Sequence, residues 1–259
     1  LLTGSNAITL SKNITLTNTA GGGVNVSNTG NAVITGSVTG NGGLLKSGSG
    51  SLTLSGPIQY QGSTIIDQGS LVFTNSPTVS GGSLIFGSGT LLTTVGTLNL
   101  SNSSATFSSL VVQTSTATAN LVTIGTGRIL TINGGVNIGN QGVSGMESRL
   151  TMAGGGTLSV VAPNGNLNAG ISLTGTNNYA KTTTDLSGLG AFYAYLPGGN
   201  LQVSATGDNN AAGLSSLYLS NTLNMVTASN LNVGVSGANP TQVLRLGAGL
   251  NVLNVNTIN

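Results

Sequence analysis

The sequence lacks three residue types on which much protein chemistry depends. Among its 259 residues there is no Cys, no His and no Trp. Without Cys the chain forms no disulfide and offers no thiol nucleophile. Without His it has neither the commonest general base nor any His metal ligand, so a Ser-His-Asp triad is excluded. We therefore predict that the chain binds no cofactor and is not an enzyme.

Charged side chains are almost as scarce. Only 4% of the residues are charged, six basic and four acidic, against about 25% in typical soluble domains. No run of Lys or Arg exists, so the basic patch that nucleic acid or an anionic lipid surface requires is missing. No apolar run reaches the roughly 18 residues of a membrane-spanning helix. We predict neither nucleic-acid binding nor membrane insertion by this segment.

The four acidic residues give little scope for a hydrolase that works through paired carboxylates. Asp185 and Asp208 flank one irregular segment and are the single pair considered for such a role. We read both as turn or capping residues. A polysaccharide-acting β-helix enzyme is accordingly kept only as a remote alternative.

Glycine and short alternating apolar runs make up much of what the sequence does contain. There are 42 Gly residues, without the strict three-residue period of collagen. Ile8 and Leu10 flank Thr9, and the same spacing recurs along the chain, with Gly, Asn and Ser between the runs. Such alternation is typical of strands with one buried face, and no helical stripe persists beyond a turn. The sequence therefore predicts an all-β protein.

Asparagine recurs in the middle of apolar-Asn-apolar triplets. The five instances are Asn25, Asn99, Asn137, Asn224 and Asn232. Because Asn is depleted in ordinary strands, its repetition at one phase favours outward-pointing ladders of hydrogen-bonded Asn side chains. The alternative is that Asn is a common polar filler in this composition.

The most regular stretch, residues 43–71, suggests how the strands are arranged. Its apolar runs are only about 3–4 residues long, too short for ordinary hairpin sheets. We predict a right-handed parallel β-helix, or β-solenoid, with about 20 residues per coil, about 13 coils and a length of about 60 Å. Asn-Gly pairs at 41–42, 133–134 and 164–165 leave an antiparallel sandwich as the alternative fold.

The same stretch carries a spaced motif. The positions that match it are Gly43, Leu44, Lys46, Gly48, Gly50, Leu52, Leu54, Ser55, Gly56, Tyr60, Gly62, Thr64, Ile66, Gly69 and Leu71. In this pattern the stretch resembles the autotransporter-associated β-strand repeat, over 29 of the 259 residues. Ile58 stands where that family has Asn. We read Lys46 as a turn residue with its ammonium group in solvent, and the glycines as turn formers.

Residues 174–213 interrupt the pattern. They include three aromatic residues close together, Phe192, Tyr193 and Tyr195. We predict a loop or β-hairpin excursion from the solenoid here. The three aromatic residues are a possible interaction patch for a glycan or another chain, or they pack the excursion onto the solenoid flank.

These features lead to two expectations of function. The first is a non-enzymatic structural or adhesive rod, and the resemblance implies a passenger-like stalk, secreted to a bacterial cell surface. The second is a segment or subunit of a self-assembling extracellular filament. Residues 1–259 are expected to form a single solenoid segment, an internal part of a longer secreted protein. The expected partners are further copies, joined end to end or laterally, or a surface or glycan.

Overall fold

A computed structural model describes residues 2–17, 24–79, 81–88, 94–113, 116–139, 147–170, 181–203, 214–234 and 242–259. Every regular element in these ranges is a β-strand, and all pairings between the named strands are parallel. The parallel β-helix prediction is confirmed, and the antiparallel sandwich is wrong.

The strands, numbered in chain order, stack in three rows. Row one contains β1 (Leu2–Gly4), β4 (Val24–Asn28), β7 (Leu44–Lys46), β10 (Thr64–Ile66), β13 (Leu84–Phe86), β16 (Leu110–Val112), β19 (Val136–Ile138) and β22 (Leu167–Ala169). Row two contains β2 (Ile8–Leu10), β5 (Ala32–Ile34), β8 (Ser51–Leu54), β11 (Gly69–Phe73), β14 (Gly96–Leu100), β17 (Asn120–Ile124), β20 (Glu147–Ala153), β23 (Lys181–Gly188), β25 (Ser215–Tyr218) and β27 (Val243–Arg245). Row three contains β3 (Ile14–Leu16), β6 (Val38–Gly40), β9 (Ile58–Tyr60), β12 (Thr78–Val79), β15 (Ala105–Phe107), β18 (Ile129–Ile132) and β21 (Thr157–Val161).

Three long strands then run across rows three and one together. They are β24 (Ala191–Val203), β26 (Leu223–Val233) and β28 (Leu250–Ile258). The first half of β24 pairs with β21, and its second half pairs with β22. The two rows therefore join into one wide sheet at this end of the solenoid.

The length of a coil changes along the chain. Thr64 pairs with Leu44 on one side and with Leu84 on the other, which is the coil length that the sequence predicts. Thr184 pairs with Leu217, so the coil between them is longer than those around Thr64 by more than half. Row two accordingly contains ten strands in the described residues, so the prediction of about 13 equal coils is wrong.

The core is a stack of aliphatic and Phe side chains. In row two, Leu52 lies against Leu71, which in turn lies against Leu98, and all three are fully buried. Burying each such side chain contributes about 1.5–3 kcal/mol. A single cluster of buried residues extends in this way from Leu16 to Leu231. Alternation within short strands is enough to build it, because every second side chain points inward.

The predicted excursion is wrong where the structure describes it. The strand β23 pairs in parallel with β20 and β25, and β24 pairs with β21, β22 and β26, so residues 181–203 belong to the stack. Phe192, Ala194 and Leu196 alternate inward as in any other strand. The aromatic content hid that alternation in the sequence. Residues 174–180 and 204–213 lie outside the described residues.

Hydrogen bonds between Asn side chains of successive coils confirm the ladder prediction in part. Four such bonds, each 2.8–2.9 Å long, join Asn137 to Asn168, Asn200 to Asn230, Asn224 to Asn251 and Asn232 to Asn259. Three of the five predicted Asn residues take part.

The other triplet residues behave differently. Asn25 accepts a hydrogen bond from the Ser47 hydroxyl, at 2.6 Å, and Asn99 accepts one from the Ser101 backbone, at 2.9 Å, within its own turn. Asn224 is fully buried and points inward, so the outward orientation predicted for it is wrong. Its amide nitrogen also donates to the Ser220 carbonyl, at 2.6 Å, while its buried Oδ1 has no hydrogen-bond partner among the described residues.

Candidate functional site

The three aromatic residues of the predicted patch separate in the structure. Phe192 is 0% exposed and lies in the core between Leu158 and Asn224. Tyr193 and Tyr195 point outward and are 36% and 52% exposed. Strand alternation explains the split, because residues of odd and even number face opposite sides in the first half of β24. Phe192 is therefore not part of a surface patch.

Other apolar side chains extend the surface around the two tyrosines. Tyr193 lies beside Met225 of β26, which lies beside Val252 of β28, and these neighbours are 46% and 41% exposed. Val161 of β21 lies beside Tyr195 and is also exposed. The sequence did not indicate this grouping, because its members come together through coils of unequal length.

The corner between rows one and two contains a buried lysine. Lys46 is fully buried at the end of β7, and its Nζ donates to the carbonyl of Gly48 in its own turn. It also donates to the carbonyl of Gln68 in the next coil, at 3.2 Å. The prediction that this ammonium lies in solvent is wrong. Burial lowers the pKa of Lys46 to about 8, because desolvation disfavours the charged form.

Glycine completes this corner. Gly69 adopts a left-handed conformation with φ of 74°. A Cβ atom added there would lie 2.9 Å from Nζ of Lys46 and would overlap the carbonyl oxygens of Gly48 and Gly50. The Lys and Gly positions of the motif thus have a shared structural explanation: close stacking of turns around one buried ammonium group.

Two further polar side chains are buried nearby. The backbone N–H of Asp67 donates to the Lys46 carbonyl at 2.8 Å, and burial raises the pKa of the Asp67 carboxyl, against hydrogen bonds from Ser88. The Tyr60 hydroxyl bonds to Thr64 in the core, and burial raises the pKa of the Tyr60 phenol. These groups are buried, and their hydrogen bonds hold neighbouring turns and strands together.

The outer face of row two carries a shallow groove of about 150 Å³. It is lined by Asp185, Ser187, Tyr218, Leu219, Asn221, Arg245 and Leu246. Asp185 lies within the strand β23, so the turn or cap position predicted for it is wrong, and its Oδ1 accepts the Ser187 backbone N–H at 2.9 Å. Asp208, its predicted companion, lies outside the described residues. Sequence reasoning missed Tyr218 and Arg245, which lie far apart in the sequence and carry no local motif.

The described residues offer no metal centre and no spanning helix. Within these ranges no three acidic side chains are grouped closely enough to hold an ion. Nor is there, among the residues that the structure describes, a helix with the length and apolar character needed to cross a membrane.

Comparisons with known proteins give no relative. No family model matches the sequence, and no curated protein or solved structure matches the chain. The resemblance to the autotransporter-associated repeat therefore rests on the motif in residues 43–71 alone and stays a prediction.

Proposed function

We propose that the chain is a non-enzymatic structural and adhesive rod, a stalk-like part of a bacterial extracellular surface protein. The observation that carries this proposal is the uninterrupted row of ten parallel strands over one aliphatic core. At about 4.8 Å per strand the row is about 43 Å long. A solenoid of this kind is rigid along its length, since each coil packs on its neighbours.

The polar residues support the same role. The buried Lys46, Tyr60 and Asp67 stabilise corners, where their side chains bond to backbone carbonyl groups, to Thr64 and to Ser88 respectively. The motif resemblance supports the proposed extracellular, cell-surface location, and the absence of Cys is compatible with it. Partners are accordingly a glycan or host surface, or further copies of the chain.

Electron microscopy and enzyme assays test the proposal together. We expect the purified chain to form isolated, narrow, rigid particles, and to release no reducing ends from a panel of polysaccharides. Globular or flexible particles would contradict the rod. Cleavage that disappears in Asp185→Ala would show an enzyme, and Glu147→Ala is the matched control because that acid lies outside the groove.

A filament segment is the second candidate, and the exposed apolar surface of the wide sheet favours it. Tyr193, Met225 and Val252 lie side by side on three successive strands and are all exposed. The strand β28 contains no charged residue. Exposed apolar surfaces of this kind mark contacts with other chains, here with further copies. Long uniform fibres that grow with protein concentration would favour the filament over the isolated rod.

A further inference from the structure

Half of the chain's charge is concentrated on one outer face. Of the ten charged residues, five lie on three strands of row two: Glu147, Arg149, Lys181, Asp185 and Arg245. Glu147 lies beside Lys181 in the next coil and forms a 2.6 Å ion pair with Arg149. In a chain with only 4% charged residues, such a concentration indicates recognition more than solubility.

An aromatic side chain lies within this charged face. The register places Tyr218 directly between Asp185 on one neighbouring strand and Arg245 on the other. Two strand spacings separate the acid from the base, about 10 Å at their backbones. All three side chains line the 150 Å³ groove, so they are presented to the same ligand.

The groove offers both a hydrogen-bond acceptor and a hydrogen-bond donor to a ligand. Asp185 is fixed through Oδ1 by the Ser187 backbone, and its second oxygen is left to accept. The exposed Arg245 guanidinium makes no hydrogen bond or ion pair with the part of the chain that the structure describes. Tyr218 is half-buried and supplies a ring wall with a hydroxyl at its edge.

We propose that this groove binds one sugar unit of a neutral polysaccharide. A sugar hydroxyl donates to Asp185, another accepts from Arg245, and an apolar C–H face packs on the Tyr218 ring. A phosphate or sulfate group would be repelled by Asp185, and a nucleic acid would need several basic residues instead of one. The small volume fits a single ring. The proposal rests on the proposed function only in that the rod displays the groove.

Binding is measured on the whole 259-residue chain with an array of neutral oligosaccharides of glucose, galactose, mannose and N-acetylglucosamine, followed by calorimetry on the best probe. We expect Tyr218→Ala to weaken binding about tenfold or more and Tyr218→Phe to retain it within about threefold. Arg245→Gln, a change at an exposed side chain, is expected to weaken it about fivefold.

The matched control is Tyr195→Ala, which removes an exposed tyrosine from the wide sheet and should leave binding unchanged. Circular dichroism confirms that each variant is folded. The proposal is overturned if the folded wild-type chain binds no neutral probe, if Tyr218→Ala binds as tightly as wild type, or if Tyr195→Ala abolishes binding instead. A chain that remains a rigid rod by electron microscopy but binds no sugar would refute the groove and leave the structural role standing.

Discussion

The solenoid contains two regions that solve the same packing problem differently. In the regular coils, residues 24–86, short strands return after short stretches of chain, as from Leu52 to Leu71, and meet at tight corners. In the wide coils, residues 147–258, register partners such as Thr184 and Leu217 are much further apart in the sequence. Rows three and one also join there into long strands. The regular coils match the sequence motif, whereas the groove and the exposed tyrosines belong to the wide coils.

The difference between the two regions indicates which coils can present functional side chains on the surface. A short coil uses its polar residues to satisfy the turns, as Lys46 does with two carbonyl groups. A longer coil has one long strand in place of two short ones, so it is held by longer pairings and by Asn–Asn bonds such as Asn200 to Asn230. Its outward positions remain available for charged and aromatic side chains.

The largest loss of stability is expected when a methyl group is added to a glycine at a tight corner. A Cβ atom at Gly50 would overlap the Gly30 carbonyl oxygen and lie 2.7 Å from the Thr29 carbonyl carbon, both backbone atoms of the preceding coil. We expect Gly50→Ala to lower the free energy of unfolding by at least about 3 kcal/mol in urea titration.

Gly135→Ala is the control, because its nearest contact would be an ordinary 3.5 Å from the Asn166 carbonyl. A change within about 0.5 kcal/mol is expected there. Equal losses in the two variants would mean that close backbone stacking does not define the tight corner.

Removing the buried ammonium is the second test. We expect Lys46→Met to keep the packing of the stem but to lower the free energy of unfolding by about 2 kcal/mol, because two carbonyl groups lose a charged donor. Lys12→Met removes an exposed lysine and should change it by less than about 0.5 kcal/mol. Matching losses would contradict a structural role for the buried lysine.

Titration sharpens this comparison. The folded Lys46 loses its proton near its pKa of about 8, while the unfolded side chain keeps it until 10.5. Since the unfolded state binds more protons between these values, the Lys46 contribution makes the unfolding free energy rise from pH 8 toward pH 10. We expect this rise in the wild type and in Lys12→Met. Its absence in Lys46→Met would identify Lys46 as the titrating group responsible.

The Asn ladders of the wide coils should give a smaller effect that depends on burial. Asn224→Ala is expected to lower the free energy of unfolding by about 1–2 kcal/mol, because it removes a buried amide that bonds to Ser220 and Asn251. Asn137 is half-buried and bonds to Asn168, so we expect Asn137→Ala to lower the free energy of unfolding by only about 0.5 kcal/mol. Chemical denaturation measures both losses. A larger loss for Asn137→Ala than for Asn224→Ala would contradict the role of burial.

Salt should have the smallest effect. The one ion pair among the described residues, Arg149 with Glu147, is partly exposed. We expect the free energy of unfolding to change by less than about 0.5 kcal/mol between about 0.05 and 0.3 M sodium chloride. Solubility and self-association should depend on salt just as weakly, as light scattering over the same range would show. A steep dependence would mean that the charged face of row two holds coils or copies together.

Sequence reasoning succeeded where strand spacing and turns are local. The alternation of Leu52 and Leu54 matches the inward face of β8, and the coil length predicted from residues 43–71 matches the spacing between Leu44 and Thr64. It failed for Lys46, because a lysine two residues before Gly48 is typical of a solvated turn, and only the Gln68 carbonyl of the next coil accounts for its burial. It also failed for Phe192, because aromatic content was given more weight than alternation.

Residue alternation and glycine-rich turns act over only a few residues, so they specify an all-β chain of stacked strands locally. The pairing of residues from coil to coil is set by three-dimensional packing and cannot be read from local patterns. Coil length determines three features of the structure. They are the joining of rows three and one, the burial of Lys46, and the placement of Tyr218 between Asp185 and Arg245. Coil length is the sum of many turns, and a change of one residue in any of them would reassign every neighbour.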